Sequence, residues 1–464
     1  MSEPASAMSE RQSRRVAFAT LIGTTIELYD FFIYATIASL VFSQVFFAPA
    51  GAGVAQLLSF ATIGISFVFR PLGAFLSGHF GDRVGRRTML VVTLVLMGGA
   101  TTAIGLLPTF ETAGVLAPVL LLLLRILQGI AAGGEWGGAV LMAVEHAPRG
   151  WRGRAGAFPQ LGSPLGMILA SGVTALMTGV ISPGQAFLDW GWRIPFLFSV
   201  VLIVIGFVVR LSVDESPVFT EMAAKRARSK TPVVELFRRH WALVLLAALI
   251  MAGNNAGGYV TMGGFLSSYT TDPDGPFGLD RTSVLLAITG AAVVWAFTTY
   301  AAGVLADRIG RRRINLIGYG CLILAVFPMF ALVSTGSVWL LFVGVSLFTF
   351  GSGLAFGGQA AWYTELFPAS VRYSGVAISF AVGSIMGGAF APLIASAVLQ
   401  STGTLYAVAF YLLGMFGLAT IACVLLRDRP DIDLGPDNQA EQERGATVFD
   451  RPGPPQHAET SVPR

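Results

Sequence analysis

The chain has 464 residues, of which 54% are hydrophobic and only 12% charged, against roughly a quarter charged in an ordinary soluble domain. So small a charged fraction excludes a fully water-solvated surface, and a mean hydropathy of +0.70 points to lipid as the main solvent. The net charge of +4 comes from basic residues spread over short loops, which excludes the concentrated basic patch of a nucleic-acid-binding protein.

The first fifteen residues are polar and basic, and no small-residue cleavage pattern follows the first apolar run, which therefore reads as an uncleaved span. Apolar runs bounded by charges, Gly or Pro then predict spans at 16–40, 54–78, 88–107, 115–144, 155–181 and 194–212. A polar, basic loop follows at 213–240, and six more spans are predicted at 241–270, 282–305, 313–334, 337–363, 375–399 and 404–426. Each is near the 20 or so residues that cross a ~30 Å hydrocarbon core. The tail 427–464 is rich in Pro, Gln, Glu and Asp without apolar periodicity, and is predicted to be disordered.

With the N-terminus placed in the cytoplasm, Arg11, Arg14, Arg15, the arginines near 83–87 and 149–154, the stretch Lys225–Arg239, Arg308, Arg311, Arg312, Arg313 and Arg372 all fall inside. The opposite loops keep only Arg193 and Arg281, beside Asp272, Asp274 and Asp280. That asymmetry predicts a multi-pass protein of the cytoplasmic membrane with both termini cytoplasmic. Cys321 and Cys423 lie in apolar runs, which excludes a disulfide scaffold or Cys-rich metal site and reads as two buried or lipid-facing thiols.

The chain repeats itself. Gly78-His79-Phe80-Gly81-Asp82-Arg83-Val84-Gly85-Arg86-Arg87 follows the second span, and Gly303-Val304-Leu305-Ala306-Asp307-Arg308-Ile309-Gly310-Arg311-Arg312 follows the eighth. A second pair, Glu145 to Arg152 and Glu365 to Arg372, follows spans four and ten with equal internal spacing. In these loops Gly permits tight turns and close helix approach, Asp accepts hydrogen bonds from a neighbouring helix N-terminus, and the arginines are expected to hold the loop at the anionic inner leaflet. The reading is a latch between helices in two halves of common pattern.

Two copies of G-x-x-x-D-R-x-G-R-R at equivalent places in a twelve-span chain resemble the major facilitator superfamily. Further segments narrow the resemblance: Glu27-Leu28-Tyr29-Asp30, Phe69-Arg70-Pro71-Leu72-Gly73, Arg125-Ile126-Leu127-Gln128-Gly129, Gly133-Gly134-Glu135-Trp136-Gly137-Gly138, Gly191-Trp192-Arg193-Ile194-Pro195-Phe196 and Glu215-Ser216-Pro217-Val218-Phe219. Together they resemble the bacterial metabolite/proton symporters, although Leu28 stands where that family commonly has Trp. The resemblance implies an all-α membrane protein, twelve transmembrane helices in two pseudo-symmetric six-helix bundles. It further implies carriage of small carboxylates such as citrate, 2-oxoglutarate and shikimate, or of zwitterionic osmolytes such as proline and betaine.

Charges inside the spans are the sharpest local signal, because an ionised side chain at the bilayer centre costs about 2.5–3.5 kcal/mol on insertion scales. At about 1.5 Å per residue, Glu27, Asp30, Arg70 and Glu135 lie roughly 15–22 Å from the cytoplasmic ends of their spans, and Arg125 roughly 27–30 Å. Glu27 and Asp30 share one helix face, so mutual repulsion and a nearby arginine oppose each other in setting proton affinity. Asp30 and Glu135 are the expected proton carriers, with Arg70 or Arg125 as switching partners and Arg125 reaching back toward Asp30; static ion pairing is the competing reading. In the second half, Asn254, Asn255 and Tyr259 read either as lining for the solute route, with Gln128 across a cavity, or as helix-to-helix hydrogen bonds.

No Walker loop, strand-borne Gly-x-Gly-x-x-Gly or His-Glu-x-x-His occurs, and no nucleophile and base stand at a plausible spacing. No cofactor, metal or enzymatic activity is therefore expected. Proton-coupled uptake of a small organic acid is the leading expectation, and zwitterion uptake the second. Drug/proton antiport is disfavoured by Gly162-Ser163-Pro164-Leu165-Gly166 in span five, and a non-transporting receptor leaves the midplane charges without use. One chain already holds both halves, so a monomer suffices.

Overall fold

A computed structural model describes residues 10–84, 86–211, 232–262 and 264–446. The residues of the first repeated loop, Gly78, Asp82, Arg83, Gly85, Arg86 and Arg87, lie outside the residues whose side chains are described. Ten segments are long and apolar enough to cross a membrane: α1 (Arg15–Val45), α2 (Gly53–Ser77), α4 (Leu116–Glu145), α5 (Arg152–Ile181), α6 (Phe187–Leu211), α8 (Arg281–Ile309), α9 (Arg311–Val333), α10 (Val338–Leu366), α11 (Arg372–Thr402) and α12 (Leu405–Leu425). The shorter α3 (Met89–Gly105) and the more polar α7 (Pro232–Thr261) complete twelve. Helices satisfy their own backbone groups, as lipid requires.

The two halves use the same helix pairings. In the first, α1 packs on α5 and α6, α2 on α4, and α3 on α4 and α6; in the second, α7 packs on α11 and α12, α8 on α10, and α9 on α10 and α12. The halves meet through two equivalent crossings, α5 on α8 and α2 on α11. Glycines permit the tightest approaches: a side chain at Gly129 would stand 2.1 Å from the Ser66 carbonyl oxygen, and one at Gly357 2.1 Å from that of Thr299.

Breaks in the helices set the site. α4 consists of Leu116–Ala132 and Glu135–Glu145, joined at Gly133 and Gly134, so Glu135 begins a half-helix where the positive end of the dipole favours a carboxylate. α10 breaks correspondingly at Gly358. Pro71 lies within α2, and Pro159 and Pro164 within α5. At each, the missing N–H removes one backbone hydrogen bond.

Two expectations differ from the structure. α7 starts at Pro232 rather than 241 and bends at His240 (φ −126°, ψ 20°), because the basic stretch before it continues the helix outside the apolar core. The tail is not disordered from 427. Residues 427–446 run back across the arginine-rich face, with a short helix α13 (Gln439–Gly445) and with Leu434 buried against Val144 and Ala361. Its sequence lacks apolar periodicity because it is held mainly by hydrogen bonds. Cys321 and Cys423 are free thiols, partly and fully buried.

The α5–α8 crossing is testable. A side chain at Gly303 would stand 2.4 Å from Ala157 Cβ and 2.8 Å from the Gly153 carbonyl oxygen, whereas Gly320 has open space. Gly303→Val is expected to lower stability by about 1–3 kcal/mol, the usual effect of overpacking. Gly320→Ala should leave the Tm in detergent unchanged or raised, as helix propensity dictates.

Candidate functional site

Five ionisable side chains singled out by their depth in the spans, Glu27, Asp30, Arg70, Arg125 and Glu135, are all buried in the first bundle. They do not pair as expected. Asp30 of α1 faces α3 and α6: its Oδ1 accepts from the Ser199 hydroxyl at 2.6 Å, and its Oδ2 lies 3.6 Å from where a side chain at Gly98 would stand. Arg125 does not reach it. Glu135 instead pairs with Arg210, whose guanidinium comes from the end of α6 and passes over Gly23 of α1. A side chain at Gly23 would stand 2.9 Å from Arg210 Nη2, so glycine opens the path. The other Glu135 oxygen, Oε2, has no hydrogen-bond partner. Arg210 was missed in the sequence, although it sits inside the predicted sixth span.

Arg125 is held against α2. Its Nε donates to the Thr62 carbonyl at 3.1 Å, and Nη2 donates to the Ile63 carbonyl at 3.1 Å and to Ser66 Oγ at 2.7 Å. Nη1 donates to Gln128 Oε1 at 2.8 Å, and the guanidinium lies 3.7 Å over the Tyr34 ring. Arg70 sits among rings, 4.3 Å from the Phe67 centroid, 5.3 Å from Phe31 and 5.8 Å from Phe380 of the second bundle. Its Nε has no hydrogen-bond partner. Neither arginine takes part in an ion pair among the described residues. Ring faces stabilise such cations by about 0.5–2 kcal/mol each.

The second bundle meets this cluster with neutral groups. Tyr259 packs edge-on against Phe31 and Phe67, at 5.0 and 5.2 Å between centroids, and so closes the cage around Arg70. Asn254 accepts from the Ser352 hydroxyl at 2.9 Å, and Asn255 donates to Ser384 Oγ at 3.1 Å. Both asparagines thus bond neighbouring helices. Gln128 is not across a cavity from them; it is bound between Arg125 and Thr101, with Nε2 donating to Thr101 Oγ1 at 2.7 Å. Trp136 stacks on Phe380 at 4.2 Å and donates to Gln160, which in turn donates to the Phe356 carbonyl across the bundle interface.

The arginine-rich face carries the second constellation. Asp307 accepts from the backbone N–H groups of Gly153 and Arg154, at 2.7 and 2.9 Å, at the start of α5. Gly310 caps α9 with φ +98°, a conformation that favours glycine. Glu365 receives Arg311 at 3.1 Å, Arg152 at 3.4 Å and the Asp431 N–H at 3.0 Å. Its counterpart Glu145 lies 3.6 Å from Arg372. Each glutamate therefore takes an arginine from the opposite bundle. Arg311, expected at the lipid headgroups, is fully buried because Glu365 and Asp307 draw it inward; Arg308 stays exposed, and Arg312 donates its backbone N–H to Asp428.

The tail stitches this face. Gly150 N–H donates to Asp431, Arg152 donates to the Ile432 carbonyl, and Arg372 donates to the Leu434 carbonyl and to Gln442. Arg429 donates to the Glu365 and Leu366 carbonyls, and burial pushes its guanidinium down to about 10, against the opposing pull of Glu365. At the far end, Gln56 donates to Ser268 at 3.1 Å, and Ser171 and Thr289 share a hydrogen bond at 2.6 Å. Polar contacts therefore join the bundles at both ends.

A family model described as Major Facilitator Superfamily matches residues 20–386 and 275–454. The chain belongs to the major facilitator superfamily. It is 43% identical over 416 residues to the Inner membrane metabolite transport protein YhjE of Escherichia coli (strain K12), covering 89% of this chain and 94% of that one. It is 37% identical over 428 residues to the Shikimate transporter of the same strain, covering 91% and 96%. Among solved structures, the proton:xylose symporter XylE superposes with a TM-score of 0.71 at 17% identity, over 91% of this chain and 98% of that chain. The last comparison speaks to fold alone. This superfamily member is thus a multi-pass membrane transport protein of twelve helices, as the sequence predicts.

The Glu135–Arg210 pair is testable by stability. Arg210→Gln leaves a buried carboxylate without its counter-charge and is expected to cost about 3–5 kcal/mol. Replacing Glu135 by Gln in the same chain should recover much of the lost Tm in detergent.

Proposed function

We propose that the protein carries a small organic acid into the cell together with a proton, by alternating access between its two bundles. The observation that carries this reading is the pair of buried arginines, Arg70 and Arg125, caged by rings and without a carboxylate partner among the described residues, beside a separate cluster of Glu27, Asp30 and Glu135. A carboxylate solute supplies the missing counter-charge, and charge-assisted hydrogen bonds from the guanidinium groups supply its orientation. A proton held on the carboxylate cluster offsets the charge that the solute brings. The names of the relatives, a metabolite transport protein and a shikimate transporter, support the same solute class.

The positive-inside rule supports a cytoplasmic position for the arginine-rich face and both termini. Opening inward then requires separation of Glu365 from Arg152 and of Glu145 from Arg372, while the Gln56–Ser268 end stays shut. Opening outward requires the reverse. The bundles rock about the buried arginines, each ion-pair set acting as one side of a two-state latch.

The experiment is a pH measurement inside proteoliposomes while carboxylates, zwitterions and sugars are added outside. A carboxylate is expected to trigger internal acidification, and sugars none. Acidification with a zwitterion alone would replace the carboxylate reading, and solute flux without acidification would remove proton coupling. Arg125→Gln should weaken solute binding by about 30-fold or more, the equivalent of roughly 2 kcal/mol for one lost charged contact.

A further inference from the structure

Arg70 has a counterpart in the second bundle. It stands eight residues before Gly78, and Trp295 stands eight residues before Gly303, at the same place relative to the repeated loop. We propose that Trp295 is a specificity-determining residue whose indole N–H donates to a solute oxygen outside the carboxylate, so that the preferred solutes are hydroxy- and oxo-carboxylates. This rests on the carboxylate symport reading above.

A run of contacts across the bundle interface joins the two positions. Arg70 lies 5.8 Å from the Phe380 centroid, Phe380 stacks on Trp136 at 4.2 Å, and Trp136 Nε1 donates to Gln160 Oε1 at 2.9 Å. Gln160 Nε2 donates to the Phe356 carbonyl at 3.1 Å, and the Phe356 ring lies 6.2 Å from that of Trp295. The members of this run are matched in register too. Trp136 and Phe356 stand nine residues before Glu145 and Glu365, and Gln160 and Phe380 stand eight residues after Arg152 and Arg372. Arg70 of α2 and Trp295 of α8 are therefore equivalent ends of one layer.

Both ends hold a donor without a partner among the described residues. Arg70 Nε and Trp295 Nε1 make no hydrogen bond, in residues only 2% and 5% exposed. A buried N–H without an acceptor costs stability, so such a group calls for a reason. The Thr299 hydroxyl, one turn along the same face of α8, is also buried and unpartnered. The asparagines of α7 are committed elsewhere, Asn254 to Ser352 and Asn255 to Ser384.

The chemistry of the two donors sets the solute. Arg70 is a cation and takes the carboxylate. An indole N–H is a neutral donor that cannot accept, so it takes a hydroxyl or keto oxygen and has nothing to offer a quaternary ammonium. A solute with acceptors at both ends spans the layer from one bundle to the other. A carboxylate with only an alkyl remainder leaves the Trp295 N–H buried and unpaired, which is how a polar site rejects an analogue lacking one oxygen.

The test is the affinity of the purified full-length protein, by titration calorimetry, for pairs that share a skeleton and a carboxylate. Lactate and propionate, gluconate and hexanoate, and shikimate and cyclohexenecarboxylate are three such pairs. In the best-fitting pair the hydroxylated member is expected to bind at least about tenfold more tightly, the equivalent of one hydrogen bond. Trp295→Phe keeps a ring and removes the N–H; it should bring that ratio within about twofold while the affinity of the unsubstituted member is retained. A merely structural Trp295 would move both affinities together. Trp295→benzothienylalanine, which exchanges only the N–H for sulfur, gives the same readout if Trp295→Phe does not fold. A wild-type ratio near unity in every pair, or a ratio unchanged in either folded variant, overturns the role of Trp295 and leaves carboxylate symport intact. Absence of acidification with any carboxylate in the proteoliposomes overturns the symport reading itself.

Discussion

A charge inside a hydrocarbon layer must find its counter-charge or its hydrogen bonds within the protein, and the whole arrangement of this chain follows from that constraint. Glu135 meets it with Arg210, and Asp30 with the Ser199 hydroxyl. Arg70 and Arg125 meet it with ring faces and, for Arg125, carbonyl oxygens. The last solution is the one that leaves charge to spare.

The two bundles share their pairings but not their chemistry. Equivalent helices cross at equivalent places, and glycine opens both α2–α4 and α8–α10. Yet the charges at depth lie in the first bundle, while the second offers Tyr259, Phe380 and amides already bonded to their neighbours. A charged half against a neutral, aromatic half gives an interface with little electrostatic penalty for relative movement. Symmetry of the backbone with asymmetry of charge therefore suits rocking about a site held mainly by one side.

Much of this was legible in the sequence because lipid leaves a simple record. Span number, the paired loops and the depth of Glu27, Asp30, Arg70, Arg125 and Glu135 follow from hydropathy and helical rise. Partner choice does not, since it depends on rotation and tilt: Arg210 lies at the edge of its apolar run yet reaches Glu135 over Gly23. Ser199 leaves no signal, because hydroxyls are common in membrane helices and only its contact with Asp30 marks it. The start of α7 and the ordered tail escaped for a different reason. Both are polar segments whose order comes from specific hydrogen bonds rather than from burial of an apolar face.

That tail has a consequence for how the molecule is made. Glu365 takes the N–H of Asp431, Arg152 takes the Ile432 carbonyl, and Arg372 takes Gln442. These partners leave the ribosome after the last span, α12, has been synthesised, so while the helices insert the buried ion pairs of the arginine-rich face lack part of their hydrogen bonding. Translation order thus makes this face the last part of the molecule to set, and a nascent chain that stalls after α12 holds all of its helices while the hydrogen bonding of its arginine-rich face is unfinished.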